Sequence, residues 1–219
     1  IYRVENQRGD GELWPTGDYE LASRLSYILW GSSPDQELLR AAGDGKLADR
    51  SFLGAQVRRM LSDPRARRQS ARFIDEWLNL GRLDNLAPSR KLFPGWTREL
   101  ARDMREETLA FFDDVVWNQN RPFWDLLNAQ VTFATPRLAR HYGIEPMGKG
   151  LERYDLSAVA GRGGLLTQGS LLTIGGDEAS MVTRGLFILT ELLRGSVKDP
   201  PPGTDTTPVP ARAGLTKRA

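Results

Sequence analysis

A chain of 219 residues, 40% hydrophobic and 26% charged, has enough apolar sequence to bury a continuous core, as one domain or two tightly joined halves. The net charge of +2 gives no strong pull towards nucleic acid. The absence of cysteine excludes disulfides, thiolate metal ligands, a cysteine nucleophile and thioether attachment of haem to this chain.

No apolar run reaches the length of a membrane span, the longest candidate being "GLFILTELL" at 185–193. The chain opens at Ile1 without methionine or a signal peptide, and reads as a piece of a longer polypeptide.

After a polar leader (1–17), "DYELASRLSYILW" places Leu21, Leu25, Ile28 and Leu29 on one helical face, with Asp18 as the expected N-cap. In "SSPDQELLRAAGDG", Ser33, Pro34 and Gln36 have the spacing of a capping box, and Gly43 and Gly45 mark the exit. Asp49 caps a third helix with Phe52, Leu53, Val57, Met60 and Leu61 inside. Asp63 and Pro64 open a fourth, whose inner face is Phe73, Ile74, Trp77 and Leu78.

The connector 80–96 carries apolar side chains that must dock somewhere, and the longest helix then runs from a Thr97 cap to about Val116. Two short helices follow, "RPFWDLLN" and "TPRLARHYG", the second opened by Thr135 and Pro136 and closed by Gly143. "LERYDLSAV" reads as a short extended segment. Leu165 to Ile174 and Leu186 to Leu193 have helical spacing on either side of "GGDEAS" (175–180), where Asp177 and Glu178 read as acidic caps of a helix over 180–194. "KDPPPGTDTTPVP" is a polyproline-like strap with no core of its own.

His141 is the only histidine, which removes two-histidine metal sites and di-iron bundles with paired histidines. It closes a predicted helix, where it can serve the helix dipole, with ligand binding or acid–base work as the alternative. Glu99, Asp103 and Glu107 form a row of carboxylates four residues apart. They suit a hard-cation or acid–base site in principle, but the interspersed Arg98, Arg102 and Arg105 favour surface ion pairs. Asp177 and Glu178 are weak calcium candidates, whose plainer role is turn chemistry. The basic run "RRMLSDPRARRQSAR" (58–72) reads as a solvated helix face. Of Trp14, Trp30, Trp77, Trp96, Trp117 and Trp124, most read as core or connector anchors; Trp96 and Trp117 are the two with polar flanks.

The blocks "LASRLSYILWGSSPDQELLRAAGDGKL", "QVRRMLSDPRARRQSARFIDEWLNLGRL", "KLFPGWTRELARDMREETLAFFDDVV", "RLARHYGI" and "RGGLLTQGSLLTIG" together resemble, in this order, the planctomycete-type cytochrome-c-associated proteins, whose domains have no assigned function. The resemblance runs from about Tyr19 to Pro210. It implies a mainly α fold: a multi-helix bundle-like domain over 18–145, a smaller helical region over 146–197 opening at Arg162 to Thr167, and a proline-rich strap over 198–219. It also implies an exported parent, periplasmic or at the cell surface, with a CxxCH haem segment downstream of the strap as partner. Haem c would then lie in that segment, and no cofactor in this chain.

On this sequence the resemblance marks Arg162 at the start of the second domain and Arg184 with Gly185 as its later "RG" pair, although "ASMVTRG" has Met181 where members often have proline. The expected function is a non-catalytic scaffold or docking module for electron transfer. The alternatives are part of a polymer- or polysaccharide-processing oxidoreductase completed by the haem domain, and a calcium-binding structural module. Arg184 is expected to tie its helix to Asp177 or a loop carbonyl.

Overall fold

The computed structural model describes residues 17–178, 180–198 and 203, with the backbone alone at 177 and 178. The polar leader up to residue 16, Trp14 included, and nearly all of the proline-rich strap therefore lie outside the described residues, as do the side chains of Asp177 and Glu178.

The chain is mainly α, as expected. Helices α1 (Asp18–Trp30), α2 (Gln36–Gly43), α3 (Arg50–Leu61) and α4 (Pro64–Trp77) form an N-terminal bundle. Its buried centre comprises Ala22, Trp30, Leu38, Leu47, Met60 and Ala66. Trp30 donates its indole N–H to the Met60 carbonyl at 2.9 Å, and the Arg65 guanidinium covers the ring at 3.5 Å. The basic run is balanced within the chain: Arg59 pairs with Asp35, Arg65 with Asp63, Arg67 with Asp113 and Arg72 with Glu76.

The capping logic holds at Asp49, Asp63, Thr97 and Thr135, each of which accepts a backbone N–H of its helix's first turn. It fails at three other places. α1 is capped by Gly17, and the Asp18 carboxylate instead accepts from the Leu47 amide at 3.3 Å. α2 is capped by Asp35 rather than Ser33, because Asp35 Oδ1 reaches the Leu38 amide at 2.9 Å while Arg59 holds the same carboxylate. Ser180, rather than the acidic pair, caps the final helix α8 (Met181–Phe187), accepting from the Thr183 amide at 3.3 Å.

Helix α5 (Arg98–Phe112) is the spine and continues as a π-turn over Asp113–Asn118. On one side it contributes Phe111, Phe112 and Val115 to a central cluster with Ile74, Leu78 and Leu80. On the other, Leu100, Ala101 and Met104 pack with Leu83, Leu138 of α6 (Pro136–His141) and Tyr154. The predicted "RPFWDLLN" helix is a single 3-10 turn, Phe123–Leu127.

One element escaped the sequence reading. "VTFA" forms strand β1 (Val131–Ala134), which pairs antiparallel with β2 (Glu152–Asp155), the extended segment that was anticipated. The register sets Val131 opposite Asp155 and Ala134 opposite Glu152.

The predicted helical run from Leu165 is broken into a 3-10 turn (Leu165–Thr167), the single helical turn α7 (Gly169–Leu172) and another 3-10 stretch (Thr173–Glu178) interrupted at Gly176. Leu165 and Leu171 are buried in the central cluster beside Ile74 and Phe111. Gly164 permits this entry. Its φ is 70°, its N–H donates to the Ala129 carbonyl at 2.9 Å, and a Cβ there would collide with the Leu127 carbonyl.

Candidate functional site

Of the supposed surface row on α5, Glu99 is exposed but the other two acids are not on the surface. Asp103 and Glu107 are 4% and 1% exposed, so the expectation of solvent ion pairs is corrected for both. Asp103 is held by the Arg137 guanidinium through both oxygens, at 2.7 and 2.9 Å, and accepts the Thr135 hydroxyl at 2.7 Å. Arg105 does not pair along its own helix; it reaches Asp75 on α4 at 2.6 Å. The helix can turn Asp103 and Glu107 inward because its neighbours supply donors that water would otherwise provide.

Glu107 is the centre of a buried polar chain. Its Oε1 accepts the Thr132 hydroxyl of β1 at 2.5 Å and its Oε2 accepts the Tyr142 hydroxyl at 2.5 Å. Tyr142 Oη in turn accepts the Gly169 amide of α7 at 2.7 Å. Burial pushes the Glu107 carboxyl up to about 7, against the opposing pull of those hydroxyls and of the Arg162 charge. Burial, then the neighbouring Glu107 charge, raises the Tyr142 phenol well above its ordinary range.

The same seam has two further stitches. Thr108 Oγ1 lies 2.8 Å from Gln168 Oε1 and 2.6 Å from Ser170 Oγ, all three residues buried. Arg82 donates to the Leu78 and Asn79 carbonyls at 2.9 and 2.7 Å and also to the Ser170 carbonyl, and burial lowers its pKa to about 10. Neither Arg82 nor Thr108 stood out in the sequence. The clue for Thr108 and Glu107 is positional, since they fill the one turn missing from the apolar stripe between Met104 and Phe111.

Outside this seam lies a recess of about 410 Å³. Its walls come from the connector (Leu92, Phe93, Trp96), from α5 (Met104), and from Leu172 at the end of α7 and Thr173 just beyond it. The apolar connector side chains thus dock around its mouth, with Leu92 still 64% exposed. His141, Tyr142 and Arg162 supply its polar floor. The Arg162 guanidinium lies 3.6 Å over the Tyr142 ring, and its Nη1 donates to the Thr167 carbonyl at 3.2 Å. Desolvation and the nearby Arg162 charge hold His141 below the ordinary imidazole pKa.

The structure thus brings two of the sequence candidates, His141 and Arg162, to one recess, together with Trp96. Trp117 lies elsewhere and donates its indole N–H to Ser70 at 2.8 Å. Trp124, expected as an anchor, is 77% exposed. Arg184 lines a separate apolar hollow with Leu166, Met181 and Phe187, and its buried Nε has no hydrogen-bond partner among the described residues. Asp177 and Glu178 cannot be placed, their side chains lying outside the described residues. Among the described residues there is no group of three or more acidic or histidine side chains that could hold a metal ion, and no helix long and apolar enough to cross a membrane.

No curated protein and no solved structure matches this chain. Two family descriptions do. Residues 162–219 match PSCyt3, a protein of unknown function (DUF1588), whose match begins at Arg162 on the floor of the recess. Residues 17–144 match PSD4, a protein of unknown function (DUF1592), and both families are known from planctomycete cytochrome-c-associated proteins. With more than half of its length matched, the chain belongs to the DUF1592 family.

Proposed function

We propose that the chain is a non-catalytic helical scaffold or docking module of an exported c-type haem protein, which seats the haem-bearing segment of its parent for electron transfer. The family assignment fits an accessory module of cytochrome-c proteins. With no cysteine among the 219 residues, a CxxCH attachment site belongs to another segment.

The observation that carries the reading is the seam. The two matched regions meet through Glu107–Tyr142–Gly169, Thr108–Ser170 and Arg82–Ser170, contacts that spend buried polar groups on rigidity rather than on an open catalytic cleft. The family resemblance supports an exported parent, for which we propose the periplasm or the cell surface.

Deleting residues 17–198 from the haem-bearing parent tests this. The haem c spectrum should persist while reduction by the physiological donor slows. Unchanged electron transfer would overturn the proposal, as would an isolated catalytic activity of this chain.

A second reading, part of a polymer-processing oxidoreductase, is favoured by one observation, that Trp96 and His141 share the recess. Turnover screening of the complete parent discriminates it, since Trp96→Ala should then impair substrate use and leave electron transfer to a small mediator intact.

A further inference from the structure

We propose that the recess over Arg162 is a binding site for a flat, apolar organic monocarboxylate. The inference does not depend on the scaffold reading.

A volume of about 410 Å³ is that of a small-ligand pocket, and its walls are apolar and aromatic through Leu92, Phe93, Trp96 and Met104. These surfaces select a flat hydrophobic body. Polar groups converge only at the floor, which fixes the ligand's orientation.

Charge decides the head group. Arg162 is the one permanently charged residue among the described lining residues, and no carboxylate lines the recess with it. Glu107 lies behind Tyr142 and does not line the recess; its charge and that of Arg162 act on each other only at a distance, since its oxygens are hydrogen-bonded to Thr132 and Tyr142 and no ion pair joins it to Arg162. Among the described residues only Nη1 of Arg162 has a hydrogen-bond partner, the Thr167 carbonyl, which leaves Nε and Nη2 as a pair of parallel donors. That fork matches a carboxylate.

His141 is kept below its ordinary pKa by desolvation and Arg162, and joins as a neutral imidazole. One cation in an apolar recess balances one negative charge. A phosphate dianion would bring a second that nothing on the floor pairs.

The fork is preorganised. Arg162 rests on the Tyr142 ring, and Tyr142 is fixed from both sides by Glu107 and the Gly169 amide. Gly169 itself sits so close to Met104 and the Tyr142 hydroxyl that a Cβ would lie 2.8 Å from each, so the floor has no slack.

Titration calorimetry of the chain with 2-naphthoate, and with the uncharged isostere 2-naphthamide, tests the proposal. Naphthoate should bind saturably at one site, about tenfold or more tightly than naphthamide. Arg162→Gln should abolish that preference, weakening naphthoate about tenfold or more and naphthamide much less. Leu92→Asp, on the exposed lip where folding is not at stake, should weaken naphthoate more than naphthamide.

Equal affinities for the two probes, or naphthoate binding indifferent to both substitutions, would overturn the carboxylate assignment. Displacement by inorganic phosphate at comparable concentration would overturn the apolar half. No saturable binding of either probe at millimolar concentration would overturn the site.

Discussion

Replacing Glu107 by glutamine isolates a pH dependence that the geometry builds into the core. The carboxyl is 1% exposed, and burial moves it from an ordinary 4.5 to about 7. The sign follows from which state holds the proton. Below about pH 4.5 both folded and unfolded chains carry it, and there is no penalty. Between 4.5 and 7 the unfolded chain ionises while the folded one stays protonated, so stability falls as pH rises. Above about 7 both are ionised and the penalty is complete.

At about 1.4 kcal/mol per tenfold change in proton affinity, the whole loss is about 3 kcal/mol. Glutamine keeps an acceptor for the Tyr142 hydroxyl and turns its amide N–H towards Thr132 Oγ1, which can accept, so the site stays hydrogen-bonded without a titrating group. Urea unfolding of both proteins across pH 4.5 to 8 should therefore show the variant gaining on the parent by about 3 kcal/mol as pH rises. His141, whose lowered pKa works in the opposite sense, is present in both and cancels. Parallel pH profiles would refute the reasoning.

Three further outcomes are expected. Gly164→Ala places a Cβ at φ 70° against the Leu127 carbonyl, and should cost roughly 2–4 kcal/mol, read as a lowered urea midpoint. Arg137→Ala leaves the buried Asp103 carboxylate with the Thr135 hydroxyl as its remaining side-chain donor. Because Arg137 is itself 46% exposed, water can partly replace it, and the cost should be about 1–3 kcal/mol by the same assay. Addition of a chelator should leave the melting temperature unchanged; a drop would instead favour calcium at Asp177 and Glu178.

Much of the helical order was legible because it is written locally. Asp49, Asp63, Thr97 and Thr135 cap within three residues of themselves, and Thr135 can still accept from its own helix while its hydroxyl donates to the distant Asp103. Asp18 and Asp35 illustrate the limit. Both have partners tens of residues away, Leu47 and Arg59, and only the fold reveals whether an acid serves its own helix or another element. β1 was missed because four residues, Val131–Ala134, carry too little alternation to announce a strand whose pair lies about twenty residues on.

The site was legible in fragments. His141 and Arg162 could be singled out by rarity and by family position, but their convergence depends on Gly164 turning the chain under the 3-10 turn Phe123–Leu127 and on Tyr142 accepting the Gly169 amide. Glu107 was visible as an acid and misread as a surface one, because a row of carboxylates flanked by arginines has the same spacing whether those arginines face it or not. Here Arg105 turns to Asp75, and the donors to Glu107 come from Thr132 of β1 and from Tyr142 just after α6.

The proposed seating of a haem-bearing segment of the parent can be measured by titrating the purified chain with that separately produced segment. A docking module should form a saturable one-to-one complex with a dissociation constant of about 1 µM or tighter, accompanied by a shift in the haem reduction potential. No detectable association at concentrations near 100 µM, where even a weak encounter between such surfaces is measurable, would contradict it.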